Sequence, residues 1–162
     1  MSVSFIRLIP TDPEWQPTAD AAAGAVRYVA GLFAGPGDRV EAVEPVFYDR
    51  VALIDGGEYM AEVFCRRCGA ALGLDWFWEL LLARHPGLAD GDPRIGNLEV
   101  TVPCCGAALS LPELRYEDPI GFARFEVSAR DWTRAEWELS DEELAEVGRL
   151  LGHPVTQVQT RY

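Results

Sequence analysis

VFCRRCGAALGL, Val63 to Leu74, and TVPCCGAALSL, Thr101 to Leu111, share the pentapeptide CGAAL, and together they hold all four cysteines of the chain. A duplicated turn that carries every cysteine points to two strand ends held by one shared ligand. In Cys65-x-x-Cys68-Gly69 two thiols stand on one tight turn, so both can reach a single tetrahedral ion, and the glycine lets the backbone take a positive φ. Backbone N–H groups in such a turn can point at the sulfurs and spread their negative charge. The second copy, Pro103-Cys104-Cys105-Gly106, keeps the continuation and loses the spacing. Aligned on CGAAL, Cys68 matches Cys105, Cys65 matches Val102, and Arg67 matches Cys104. Adjacent side chains normally diverge, so Cys104 and Cys105 can share an ion only where the backbone bends sharply, and Pro103 and Gly106 supply that bend.

The expected ligand set is Cys65, Cys68, Cys104 and Cys105 around one structural Zn2+, with His85 or His153 the substitute for one of the adjacent pair. Locally, at residues 65–69 and 103–106, the motif resembles the knuckles of zinc-ribbon proteins; no whole-chain family follows from it. Three other readings use the same thiols. Buried free cysteines packed as small hydrophobes leave the duplicated turn unexplained. A redox Cys-x-x-Cys accounts for Cys65 and Cys68 alone. An iron–sulfur cluster is poorly served by adjacent cysteines. A closed shell of four thiolates keeps no position for a catalytic water, so the expected ion pins two loops and contributes to folding.

The chain has 162 residues, enough to bury a core without disulfides, and no linker of low complexity divides it, so residues 1–162 read as one domain. Apolar residues make up 49 % and charged residues 25 %, with no apolar run long enough to cross a bilayer. MSVSFIRLIP at the N-terminus has no secretory pattern, which predicts the cytoplasm, where paired cysteines more often hold metal than form disulfides. The net charge of −12 repels nucleic-acid backbones and anionic lipid alike. All 14 basic residues are Arg, which excludes Schiff-base lysines and Walker-type phosphate loops.

Around the cysteines the patterning alternates strands and helices. Val3–Ile9 reads as a strand, and a helix follows from the N-cap Thr18 to about Gly35, with Ala22, Val26, Val29 and Phe33 on one face. Its glycines, Gly24 and Gly31, suggest close packing on a sheet. Glu44–Ile54 and Glu58–Phe64 read as strands of one hairpin turned at Asp55-Gly56-Gly57. A second helix, within Leu72–Gly87, carries Trp76-Phe77-Trp78. Leu98, Val100 and Val102 alternate as a strand, as do Ala123, Phe125, Val127 and Ala129. Ser140 with Glu143 forms a capping box for a helix ending near Gly152, and Val155, Val158 and Tyr162 have helical spacing in the tail.

The expected fold class is therefore α+β, a mixed two-layer α/β sandwich of order β-α-β-β-α-β-β-α with a helical tail. Its first six elements have the order of the ferredoxin-like fold, in which the two cysteine loops would meet at one sheet edge, about 10 Å apart. A direct βαβ crossover through the Trp76 helix would bring them closer.

Both histidines stand at helix ends before a proline, where capping is the simpler role. None of the five serines has a nucleophile-elbow context. The run YEDPIGFARF, with Tyr116, Glu117, Asp118 and Arg124, is a candidate pocket mouth without a specified reaction. Asp131–Trp137, in a loop after the last strand, is a candidate partner-binding face with Trp132 and Trp137. These features predict an acidic, non-catalytic, protein-binding module with a structural zinc site, its partner a basic protein, as for an immunity or antitoxin-like protein. The alternative is an enzyme, a thiol oxidoreductase on Cys65 and Cys68 or a zinc hydrolase with an open metal position.

Overall fold

The computed structural model describes residues 1–118 and 120–162. Pro119, within the YEDPIGFARF run, lies outside the described residues.

Four long strands form the main sheet: β1 (Ser4–Pro10), β2 (Arg39–Ile54), β7 (Gly121–Thr133) and β8 (Val155–Arg161), in the order β2-β7-β1-β8. Every neighbouring pair is antiparallel. Pro45 cannot donate to a ladder, and it is accommodated because β2 is an edge strand. Helices α1 (Ala19–Gly31) and α3 (Asp141–Leu151) cover one face. Ile6, Leu8, Phe125, Val127 and Ala129 point there by period-two alternation and meet Ala22, Ala25 and Val29 of α1 and Val147 and Leu151 of α3. Each large side chain fully buried in this way contributes about 1.5–3 kcal/mol.

The helix ends follow the caps. Thr18 accepts the Ala21 N–H at 3.2 Å, and Ser140 and Glu143 form the reciprocal box, Glu143 N–H to Ser140 Oγ at 3.1 Å and Ser140 N–H to Glu143 Oε1 at 2.9 Å. Gly152 closes α3 in the left-handed region at φ 92°. The α1 glycines are not contact sites: a Cβ at Gly31 would meet nothing within 4 Å, and at Gly24 only the Arg27 side chain at 3.8 Å. That expectation fails because this face of α1 does not reach the sheet.

Halfway along, the β2–β7 ladder breaks register. Phe47 pairs with Phe125 and the next partners are Ala52 and Ala123, so β2 uses three more residues than β7 across the bulge. Beyond it, Val51 to Ile54 become continuously buried. Their free edge takes another segment: Leu53 donates to the Pro93 carbonyl at 2.8 Å, and Ile95 and Gly96 both donate to the Val51 carbonyl at 2.9 Å.

A second core forms on this far end. Val51, Leu53 and Phe122 meet Phe77 and Leu81 of helix α2 (Leu74–Arg84) together with residues of two small ribbons. One ribbon pairs β3 (Val63–Phe64) with β6 (Arg115–Tyr116); the other pairs β4 (Glu99–Thr101) with β5 (Ala108–Ser110). Of the consecutive Trp76-Phe77-Trp78, Phe77 is fully buried and the two indoles are half-buried around the same core. Tyr116 joins that core with its hydroxyl on the Leu111 carbonyl at 2.7 Å, and with Ile120, Gly121 and Phe122 of the same run it lines a cavity of about 360 Å³.

The helix-and-antiparallel-sheet class is as expected, and three further expectations are corrected. Asp55-Gly56-Gly57 does not fold a strand back on β2. Asp55 Oδ1 accepts the Gly57 N–H at 2.7 Å, and the turn docks on β8 instead, Glu58 donating to the Arg161 carbonyl at 2.8 Å and Arg161 to the Gly56 carbonyl at 3.2 Å. Gly57 is required there, at φ 60° with its would-be Cβ 2.0 Å from the Arg161 oxygen. The second correction is topological: β3 and β4 lie in separate antiparallel ribbons, so neither the ferredoxin-like arrangement nor a parallel crossover through α2 is present. The third is the tail, which is strand β8 in register with β1 from Ser4↔Arg161 to Pro10↔Val155. The open edge of β1, and the β-branched residues Val155, Thr156, Val158 and Thr160, outweigh the helical spacing of the apolar positions.

The sheet face away from α1 and α3 is partly polar. Arg7 pairs in register with Ser128, and Glu126, 3 % exposed, takes the Tyr48 hydroxyl at 3.1 Å with Arg7 Nε 3.9 Å from its other oxygen. Burial raises the Glu126 carboxyl above its ordinary 4.5, with Arg7 and Tyr48 opposing. A carboxyl raised in the folded state binds its proton more tightly there, so its contribution to stability is complete below the ordinary value and falls as pH rises toward the native one. Glu126→Gln removes that slope: urea denaturation over a pH series should show the variant gaining on the wild type as pH rises above 4.5, with the two closest in acid.

Candidate metal centre

The two CGAAL segments are the turns of two hairpins with the same backbone hydrogen bonds. In the first, Gly69 N–H donates to the Cys65 carbonyl at 2.8 Å and Cys65 N–H to the Ala70 carbonyl at 2.9 Å. In the second, Gly106 N–H donates to the Val102 carbonyl at 2.9 Å and Val102 N–H to the Ala107 carbonyl at 3.0 Å. The flanking pairs also correspond: the Phe64–Ala71 bridge has its counterpart in Thr101–Ala108. Leu72 donating to Val63 corresponds to the Val100–Leu109 pair. Gly69 at φ 76° and Gly106 at φ 69° occupy the same left-handed position. No neighbour lies within 4 Å of a Cβ built on either, so the dihedral alone demands glycine.

The same superposition places Cys65 on Val102. Both are buried in the second core, at 1 % and 0 % exposure, whereas Cys68, Cys104 and Cys105 are exposed. The second hairpin therefore uses an apolar side chain where the first uses a thiol, and carries its extra thiol at the position of Arg67.

The four sulfurs nonetheless converge. All lie within 4.8 Å of one another, with Cys65 Sγ 3.9 Å from Cys105 Sγ and Cys68 Sγ 3.3 Å from Cys104 Sγ. Sulfurs about 2.3 Å from a tetrahedral zinc ion stand about 3.8 Å apart, so this quartet has the dimensions to hold a metal ion. Among the described residues it is the one such group, and neither histidine joins it. His153 stacks on Trp15 at 4.8 Å, and His85 ends α2, its imidazole pKa lowered from the ordinary 6.5 by burial and by Arg84 and Arg50.

The electrostatics divide the thiols. Backbone N–H groups of Cys68, and then of Arg67, point at the Cys65 sulfur and bring its thiol down to about 7 against the cost of burial. Cys104 is pushed up to about 12, first by desolvation and then by the neighbouring sulfurs. Four crowded thiols cannot all ionise on their own; a divalent cation at their centre reverses that balance.

Both hairpins are anchored from outside. Arg66 Nε donates to the Glu113 carbonyl at 3.0 Å, and the Arg115 guanidinium lies 4.1 Å above the Phe64 ring. The Arg84 guanidinium, at the end of α2, donates to the Glu99 carbonyl of the second hairpin. These anchors have no sequence signature of their own, because each arginine meets a backbone carbonyl or a ring on a distant segment. The chain matches no protein-family model, no curated protein and no solved structure.

Because the two turns share a backbone, the ligand can be moved back. The double variant Val102→Cys with Cys104→Arg should retain one metal with four thiolates, whereas Cys104→Ser alone should weaken binding at least about tenfold. Titration with Co2+, followed by thiolate-to-cobalt charge-transfer absorption, reads both.

Proposed function

We propose that Cys65, Cys68, Cys104 and Cys105 hold one structural Zn2+ and that the protein is a non-catalytic, cytoplasmic module that binds another protein. The observation that carries the metal reading is the convergence of all four sulfurs on two hairpins of the same form. Four thiolates suit zinc, close its shell, and leave no site for water to be activated. The thiol with the lowered pKa is the buried one, which supports ligation over attack on an external substrate.

The partner reading rests on charge and on one exposed ring. The chain carries 26 acidic against 14 basic residues. Trp137 is 54 % exposed, with Trp132 5.4 Å and Tyr59 5.8 Å from its ring. Glu136, Glu138 and Asp141 flank it in sequence, and a concave surface runs along this segment. An indole ringed by carboxylates fits a basic protein that offers arginine or lysine to the ring and the acids together. Covering a basic enzyme, as an immunity or antitoxin-like protein does, is the use such a surface would serve.

Elemental analysis should find one zinc per chain, with four thiols appearing only after chelation. Stripping the metal should lower the melting temperature and expose the second core to hydrophobic dyes; an apoprotein melting as the holoprotein does would overturn the structural role. A partner recovered with the zinc-loaded chain should bind more weakly as salt rises, and Trp137→Ala should cost about tenfold or more in affinity. Affinity indifferent to salt would overturn the electrostatic part.

A further inference from the structure

Helix α2 and the 3-10 turn after it, Pro86–Asp90, lie over part of the sheet face opposite α1 and α3 and leave a cavity of about 390 Å³. The volume is within the range of small-molecule sites, about 300–1,000 Å³. Its two sides differ in chemistry. The sheet side presents Arg7, Tyr48, Asp55 and Tyr162, and the α2 side presents Trp78, Leu82 and Leu88.

Among the described residues Arg7 is the one basic residue in the lining. Its guanidinium carbon lies 4.8 Å from the Phe5 centroid and 5.6 Å from that of Tyr162, two rings that meet edge to face. Glu126 Oε1 stands 3.9 Å from the Arg7 Nε, an ion pair beyond hydrogen-bond reach, so donors remain. Among the described residues its hydrogen bonding amounts to one long contact, Nη2 to Tyr162 Oη at 3.4 Å, and the buried Nε has no hydrogen-bond partner. Two carboxylates also line the cavity. Asp92 is engaged by Arg94 through both oxygens at 2.9 Å, and Asp55 accepts from the Gly57 N–H and the Tyr162 hydroxyl, one bond on each oxygen. Each Asp55 oxygen keeps a free lone pair.

These charges select among ligand classes. A phosphate would face Asp55 and Asp92 against one guanidinium, and a simple cation would leave the Arg7 donors unused. We propose that this cavity binds a small zwitterion, an α-amino acid with an apolar side chain, its carboxylate on Arg7, its ammonium on Asp55 and its side chain against Trp78, Leu82 and Leu88. The site is separate from the cysteine quartet and from the Trp137 surface, so it stands whether or not those readings hold.

Isothermal titration of the chain as purified with L-phenylalanine and L-leucine tests it, with N-acetyl-L-phenylalanine and L-phenylalaninamide as probes lacking one charge each. Saturable binding of a free amino acid is expected, with at least about a tenfold loss for either blocked form and for Arg7→Gln or Asp55→Asn. Leu82 is partly exposed on α2, so Leu82→Trp fills the cavity without disturbing the sheet and should abolish binding in a folded protein. No binding of either amino acid up to about 10 mM would overturn the proposal. Equal binding of free and blocked forms, or binding that survives Leu82→Trp, would do the same.

Discussion

The pairing of β2 with β7 is the constraint on which the rest of the molecule depends. From Arg39↔Thr133 to Ile54↔Gly121 the two strands run through both large hydrophobic cores, one under α1 and α3 and the other under α2 and the cysteine hairpins. Side chains on one strand alternate between faces, so a straight ladder would repeat one pattern along its whole length. The bulge between Phe47 and Ala52 prevents that. It bends β2, resets its register, and lets Val51 to Ile54 be buried in succession while the free edge of the strand receives residues 93–96.

The two cysteine hairpins share one turn geometry and differ in where their thiols stand. The turn is set by backbone hydrogen bonds and a left-handed glycine, neither of which depends on the side chains between them. Replacing the buried thiol by Val102 therefore costs the turn nothing and adds an apolar group to the second core. The extra thiol of the second hairpin is Cys104, on the exposed side. The outcome is an asymmetric quartet, one sulfur rooted in the core and three near solvent.

The same contrast between local and distant determinants decides what could be read in the sequence. The cysteine set was legible because CGAAL repeats and because thiols at such spacing have few uses. The caps of α1 and α3 were legible because Thr18, Ser140 and Glu143 act on backbone within one turn of themselves. The pairing of β3 with β6, the docking of Gly57 on Arg161 and the strand character of the tail were not. Each depends on a partner far along the chain, as Gly57 and Arg161 show, and nothing local in Asp55-Gly56-Gly57 separates a hairpin from a turn that docks elsewhere. The buried Arg7–Glu126 pair was hidden for the same reason: in sequence each is one polar residue in a half-buried strand. Register alone sets them side by side.

The excess of acidic residues, finally, is only partly idle surface. Asp20, Asp75, and Asp141 with Glu142 and Glu143, stand in the first turns of the three helices, where the unpaired N–H groups favour negative charge by about 0.3–1 kcal/mol apiece. Arg84 and Arg149 stand in the last turns of α2 and α3, the complementary placement. Glu143 is further tied to Arg134 at 3.0 Å, both largely buried. Charges used in this way are neutralised within the fold. Glu136 and Glu138, beside the exposed Trp137, belong to no helix turn and to none of the ion pairs among the described residues. A helix-stabilising role accounts for the carboxylates of α3 and leaves these two unexplained; a cationic surface brought against Trp137 would account for them.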